Sequence, residues 1–255
     1  MDNYLKDCLD KLKKKNLNAE VELRILLKKS SLNDREIILS NINFDNINIV
    51  NFKKALERRL NNEPISKIFN FKNFWKYNFF VNSNVLDPRP ETESIIENVL
   101  EYFPQKNTNL KILDMCTGSG CLAISLAKEY PLSNVTATDI SLKALVVAEH
   151  NAVNLNCKKR IKFIECDLVN VNSTYDIIVC NPPYLSENEY NKTSLEIQLF
   201  EPKIAFIANK EGYEAYFRIA KILPKILSKN SLVFMEIGST QAKKTIKIFK
   251  KNNIN

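Results

Sequence analysis

Through the first ~75 residues, apolar side chains recur at three- and four-residue spacing. YLKDCLDKL, AEVELRILLKK, DREIILSNI and VNFKKALERRL each carry such a stripe, and each predicts an amphipathic helix. Asn33 and Asp34 stand before EIILS as a helix start would. The texture changes at FNFKNFWKYNFFV (69–81), where aromatic residues alternate with polar ones and predict a strand pair or hairpin. Two prolines in VLDPRPETES stop the extended run, and ETESIIENVLEYF returns to helical spacing.

From Lys111 onward, short apolar runs alternate with helical stripes. KILDMC, VTATDI, IKFIECD, YDIIVCNPP and LVFMEIG read as strands. CLAISLAKEY, LKALVVAEHNAVNL, YEAYFRIAKILPKIL and the basic TQAKKTIKIFKKN read as helices. This order predicts an α/β fold, a doubly wound parallel sheet with helices on both faces. The pattern divides the chain into a helical domain (1–72), a hairpin linker (73–90) and an α/β domain (91–255).

At 255 residues, with 45% hydrophobic and 26% charged, the chain is neither disordered nor a disulfide-dense secreted module. The net charge of +8 fits an anionic partner or plain solubility and names neither. Lys13, Lys14 and Lys15 read as a solvated helix face, because no aromatic residues interleave with them. No apolar run approaches the ~20 residues of a membrane span, and MDNYLKDCLDKLKKK lacks a signal peptide's apolar core. The six cysteines form no CxxC pair and His150 is the single histidine, so no metal site is expected and the thiols read as buried and reduced. The cytoplasm is the expected compartment. His150 lies within a helical run and is not a nominee for catalysis.

Only 4 glycines are present, where ordinary usage of ~7% would give roughly 18. Two of them, Gly118 and Gly120, lie in DMCTGSGC between a strand and its helix, where backbone N–H groups can approach a ligand at the helix N-terminus. Asp139 ends the second strand, 19 residues after Gly120, and suits the hydroxyls of a ribose. Asp114 and Asp167 end the first and third strands. In a doubly wound sheet such ends converge on one crevice. Neither a P-loop nor GxGxxG is present, so the implied ligand contains adenosine without a pyrophosphate, and S-adenosylmethionine fits.

Asn181-Pro182-Pro183-Tyr184 at the end of the fourth strand addresses a planar –NH₂ group, whose delocalised lone pair makes it a poor nucleophile. The Asn181 side-chain oxygen and the Pro182 carbonyl can each accept one N–H, aiming the nitrogen's lone pair at a methyl donor. The prolines stiffen the turn, and Tyr184 supplies a flat wall.

On these residues, together with PRPETE, FEPKIAF, EGYEAYFRIA and MEIGSTQ, nearly the whole chain resembles the glutamine N5-methyltransferases of peptide chain release factors. The resemblance implies a class I S-adenosylmethionine-dependent methyltransferase (Rossmann-like) behind an N-terminal helical domain for substrate recognition. It also implies methyl transfer to the glutamine of the release factors' Gly-Gly-Gln motif. Class I release factors are then the partners, with no membrane and no direct nucleic-acid binding. By position it implies a cofactor loop of Cys116, Thr117, Gly118, Ser119 and Gly120, with Asp139 on the ribose. Asp167 is a further cofactor-binding position, Leu168 after it falls beside the adenine, and Asn181 lies near the cofactor. Asn181 and Pro182 are the catalytic candidates, and Asn181 to Tyr184 hold the glutamine. Arg89 and Glu91 shape the cofactor's methionine end or the substrate mouth, or form an ion pair that pins the linker.

The chain departs from the family pattern at Asp87, usually apolar, and at Asn70 and Cys116, usually glycine. Two final strands of the family are missing after MEIGSTQ, which leaves LVFMEIG as an expected open edge. NPPY is shared with DNA-adenine and ribosomal RNA-guanine amino methyltransferases, and the shortened sheet raises a decayed cofactor-binding protein. These are the competing readings.

Overall fold

The computed structural model describes residues 3–15, 18–32, 39, 42, 44–168 and 173–254. The chain forms two compact units, Met1–Asn70 with Leu195–Phe200, and Phe71–Ser194 with Glu201–Asn255.

The first unit contains α1 (Asn3–Lys13), α2 (Ala19–Lys29), α3 (Ile49–Leu60) and α4 (Ile65–Phe69). The stripe Leu5, Cys8, Leu9 and Leu12 of α1 is buried with Leu23, Leu26 and Leu27 of α2 and Phe52 of α3. Each fully buried leucine contributes about 1.5–3 kcal/mol. Asn48 caps α3, its side-chain oxygen accepting the Asn51 N–H at 3.0 Å. Arg59 of α3 binds both carboxylate oxygens of Glu22 on α2, at 2.8 and 2.9 Å. It also reaches Glu196, on the short helix Leu195–Phe200, at 2.6 Å. Asn70 ends α4 at φ 56°. Asparagine tolerates that left-handed position better than other side chains, which explains its substitution for glycine. The helix expected over DREIILSNI lies outside the described residues, apart from Leu39, which is buried in this core, and Ile42, which packs against it.

The second unit opens with the expected hairpin, β1 (Phe71–Phe74) against β2 (Tyr77–Phe80). Then come α5 (Glu93–Tyr102), β3 (Lys111–Met115), α6 (Cys121–Glu129), β4 (Asn134–Asp139), α7 (Leu142–Asn154), β5 (Ile161–Glu165) and β6 (Tyr175–Cys180). Short helices α8 (Glu187–Tyr190) and α9 (Leu195–Phe200, packed in the first unit) follow. The turn α10 (Asn209–Gly212) precedes α11 (Glu214–Ile226), β7 (Leu227–Met235) and α12 (Ala242–Lys250).

The five strands β3 to β7 form one parallel sheet in the order β5-β4-β3-β6-β7. Alternation along each strand feeds two cores. Ile112, Ile177 and Val179 face Ile96 of α5 and Leu122 and Leu126 of α6. Leu113, Met115 and Ile178 face Ile219, Leu223 and Ile226 of α11. The chain builds outward from β3 to β5, then crosses back to place β6 on the other side of β3. The carboxyl ends of β3 and β6 therefore flank a switch point, where a crevice opens. The β6–β7 register jumps between Tyr175↔Leu227 and Ile177↔Leu232, so the strand expected over LVFMEIG begins earlier and ends at Met235. Glu236 is left at the carboxyl end of the sheet. Among the described residues β7 has one strand neighbour, and Phe234 packs edge-on to Tyr102 of α5 at 5.9 Å.

Candidate active site

The loop after β3 carries left-handed backbone at Cys116 (φ 59°), Gly118 (φ 55°) and Gly120 (φ 81°). At Gly120 a Cβ would come within 3.0 Å of Ile124 Cδ1 and 3.1 Å of Ala148 Cβ, so the turn seats tightly against α7. At Gly118 a Cβ would meet nothing within 4 Å, because this residue borders open space. Asp114 lies under the loop rather than in the crevice, 1% exposed, and braces it. Its Oδ2 accepts the Thr117 hydroxyl at 2.6 Å and the Ala123 N–H at 3.0 Å. Its Oδ1 has no partner among the described residues, and burial pushes its carboxyl pKa up to about 7.

Asp139 accepts the Gly118 N–H on Oδ2 and the Ser141 N–H on Oδ1, both at 2.9 Å. Each oxygen keeps further lone-pair capacity for an incoming hydroxyl. Burial raises its pKa, partly countered by these bonds. Gly118 and Asp139 line a cleft of about 270 Å³ with Cys116, Thr117, Ser119, Asp167, Leu168 and Asn181. Leu168 is buried with φ 70°, its carbonyl held by the Thr138 hydroxyl. Asp167 pairs with Arg218 at 2.6 Å. A carboxylate with lone pairs to spare, a left-handed glycine, Gly118, bordering the open cleft, and apolar walls at Ile140, Leu168 and Ala144 together fit an adenosyl group.

A second, smaller cavity of about 40 Å³ is lined by Arg89, Asn181, Tyr184, Phe206 and Glu236. Asn181, just past β6, borders both cavities. Its Nδ2 donates to Glu236 Oε2 at 2.9 Å and to the Thr92 hydroxyl oxygen at 3.1 Å. Thr92 in turn donates to the same Glu236 oxygen at 2.6 Å. The amide nitrogen is thus turned toward Glu236 and the side-chain oxygen away from it, as an acceptor. Tyr184 OH donates to Glu236 Oε1 at 3.3 Å, and burial and that carboxylate raise the phenol's pKa. No donor among the described residues reaches the Pro182 carbonyl.

Arg89 donates to Glu201 Oε1 at 2.6 Å, while the Asp87 N–H donates to Glu201 Oε2 at 2.9 Å. Arg89 is therefore paired with Glu201 and not with Glu91, which is exposed on the turn Pro90–Thr92. Gly120, Pro182, Glu91 and Asp114 line neither cavity; Pro183 lines the larger one. His150 is exposed on α7, against Phe80 and Asn154, and lines neither.

Sequence reasoning nominated none of Thr92, Glu201, Gly212, Glu236 and Gln241. All five lie in segments, PRPETE, FEPKIAF, EGYEAYFRIA and MEIGSTQ, that carried the resemblance, but spacing along the chain assigns them no partner. Gly212 (φ 87°) lies against the Tyr184 carbonyl, which a Cβ would approach to 2.3 Å. Gln241 Nε2 donates to that carbonyl at 2.9 Å.

A family model described as methyltransferase small domain matches residues 95–203. A solved SAM-dependent methyltransferase from Agrobacterium tumefaciens superposes with a TM-score of 0.51 at 19% identity, over 72% of this chain and 58% of that one. Together with the sheet order, this makes the second unit a class I methyltransferase fold. A bifunctional methyltransferase of Rickettsia prowazekii is 38% identical over 96% of this chain and 52% of its own length, so the chain spans about half of that relative. Release factor glutamine methyltransferases are 36% identical in both Buchnera aphidicola and Flavobacterium psychrophilum. The first match covers 98% of this chain and 90% of the relative, the second 86% and 78%. With likeness of this extent running through both units, the chain belongs to the release factor glutamine methyltransferase family.

Proposed function

We propose that this protein transfers a methyl group from S-adenosylmethionine to the side-chain amide nitrogen of the glutamine in the Gly-Gly-Gln motif of class I release factors. It would serve translation termination in the cytoplasm. The observation that carries the reading is Asn181, which borders both the cleft that fits an adenosyl group and the small cavity beside it.

When bound, S-adenosylmethionine supplies a methyl group already activated on sulfur, so the chain itself needs to provide neither a metal nor a covalent nucleophile. Asn181 Oδ1 and the Pro182 carbonyl accept the two N–H groups of the substrate amide and fix its nitrogen. As nitrogen donates its electron pair and gains positive character, both oxygens stabilise the developing charge. Tyr184 walls the planar amide, and Asp139 holds the ribose. Leu168 offers the adenine an aliphatic surface. The surplus proton leaves to water. Arg89, held by Glu201, borders both cavities and shapes the substrate mouth.

The helical unit (1–72) is proposed to grip the factor away from its Gly-Gly-Gln loop; undiminished factor affinity after its deletion would count against this. The deciding experiment supplies labelled S-adenosylmethionine with a purified release factor, its Gln-to-Ala loop variant, and bulk RNA or DNA. Label on the native factor alone is expected. Label on nucleic acid would replace the reading with base amino methylation, and cofactor binding without transfer would point to a decayed enzyme.

A further inference from the structure

The side-chain amide of an asparagine is nearly symmetric in shape, and nothing in Asn181 itself decides which end faces the substrate. Turned one way it offers an acceptor to an incoming N–H; turned the other way it opposes that N–H with its own. Glu236 is an acceptor when ionised, and it lies 2.9 Å from Asn181 Nδ2. Thr92 uses its single proton on the same carboxylate, so its lone pairs face Asn181 and admit only the nitrogen. The other Glu236 oxygen accepts from Tyr184 OH.

We propose that Glu236 is a positioning residue. Its carboxylate, with Thr92, locks the Asn181 amide so that Oδ1 faces the substrate, and it sets the Tyr184 ring in the same act. The inference rests on the methyl-transfer reading for its purpose but not for its geometry. Glu236 touches no reacting atom. It acts through Asn181 and Tyr184, two residues that chain order separates from it by 55 and 52 positions.

The test compares Glu236→Leu, which strips the acceptors, with Glu236→Gln, which keeps one. Thr92→Val and Thr92→Ser form a second pair that tolerates a misfolded Glu236 variant. Glu236→Leu is expected to lower kcat about 10- to 100-fold, as loss of an orienting partner does elsewhere. Its affinity for S-adenosylhomocysteine, read by calorimetry, should stay within about twofold of wild type. Glu236→Gln and Thr92→Ser should recover most of kcat, and Thr92→Val should not.

Independently of turnover, the Asn181 side-chain amide in ¹⁵N-labelled protein, assigned through Asn181→Asp, should exchange with water slowly in wild type. In Glu236→Leu it should exchange as an open asparagine. Unchanged exchange in that variant, or full kcat in both Glu236→Leu and Thr92→Val, overturns the positioning role. A wild-type protein that methylates no release factor overturns the methyl-transfer reading instead, and the exchange measurement then decides the positioning role by itself.

Discussion

Asn181 concentrates the chemistry proposed for this chain, because its oxygen is the acceptor left over once Glu236 and Thr92 have engaged its nitrogen. Asn181→Asp replaces that donor with a second carboxylate facing Glu236. Methyl transfer should fall about 10²- to 10³-fold, the scale of losing one preorganised hydrogen bond at a reacting centre. Cofactor affinity, set largely by the Asp139 side of the cleft, should change less than about threefold, and a single-turnover assay beside calorimetry separates the two. Gly212 is another residue whose identity geometry dictates. Gly212→Ala drives a Cβ toward the Tyr184 carbonyl at 2.3 Å and strains a φ of 87°. Stability should drop by about 1–3 kcal/mol in a urea titration, the range of overpacking, with turnover falling as Tyr184 shifts.

Among the elements, α2 and α3 are joined by more than their apolar stripes. The Arg59 side chain is 6% exposed and serves Glu22 and Glu196 together, so its removal leaves two carboxylates facing each other. Arg59→Leu should destabilise the chain by up to about 3 kcal/mol, seen as a lower denaturant midpoint. High salt should narrow the difference, because the Glu196 side is partly open to water. The strands teach a complementary lesson. Their existence was legible in the sequence because a parallel sheet needs short apolar runs, most of them followed by a helical stripe long enough to cross over. The start of β7 was not legible. The register jump opposite Tyr175 and Ile177 is a pairing event, and LSKNS carries no apolar pattern to announce it.

For the whole molecule, two buried carboxyls bend the stability profile in opposite directions. Burial pushes Glu129 up, but bonds from Lys106, Lys76 and Trp75 outweigh it and hold its pKa at about 2, against an ordinary 4.5. Its contribution is present above pH 4.5 and is lost as pH falls toward 2. Burial holds the folded Asp114 at about 7 against 3.8, so its contribution is present below pH 3.8 and is lost as pH rises through 7. Glu129→Gln should therefore blunt acid unfolding, while Asp114→Asn should flatten the decline between pH 4 and 7. Urea midpoints taken from about pH 2 to about pH 7 read both slopes, the Glu129 slope below pH 4.5 and the Asp114 slope above pH 3.8. The same pair shows why a carboxylate at a strand end is ambiguous in sequence. Asp114 and Asp139 both lie near strand ends in sequence, yet Asp114 pairs with Ala137, two residues short of Asp139, and is sealed beneath the loop while Asp139 lines the cleft.

The helical stripes of the first residues, the strands and helices of the α/β unit, and Cys116 to Ser119, Asp139 and Asn181 as candidates for one cleft could be read from the chain itself, because hydrophobic period and turn chemistry are local properties written in consecutive residues. Folding in three dimensions was needed to pair Arg89 with Glu201, to set Gly212 against Tyr184, and to place Glu236 where it orients Asn181. Those pairings join residues 28 to 112 positions apart. A hydrogen bond is fixed by distance and direction in space, and the parallel pairing of β6 with β7, Cys180 opposite Met235, is what brings Asn181 beside Glu236 at the carboxyl end of the sheet.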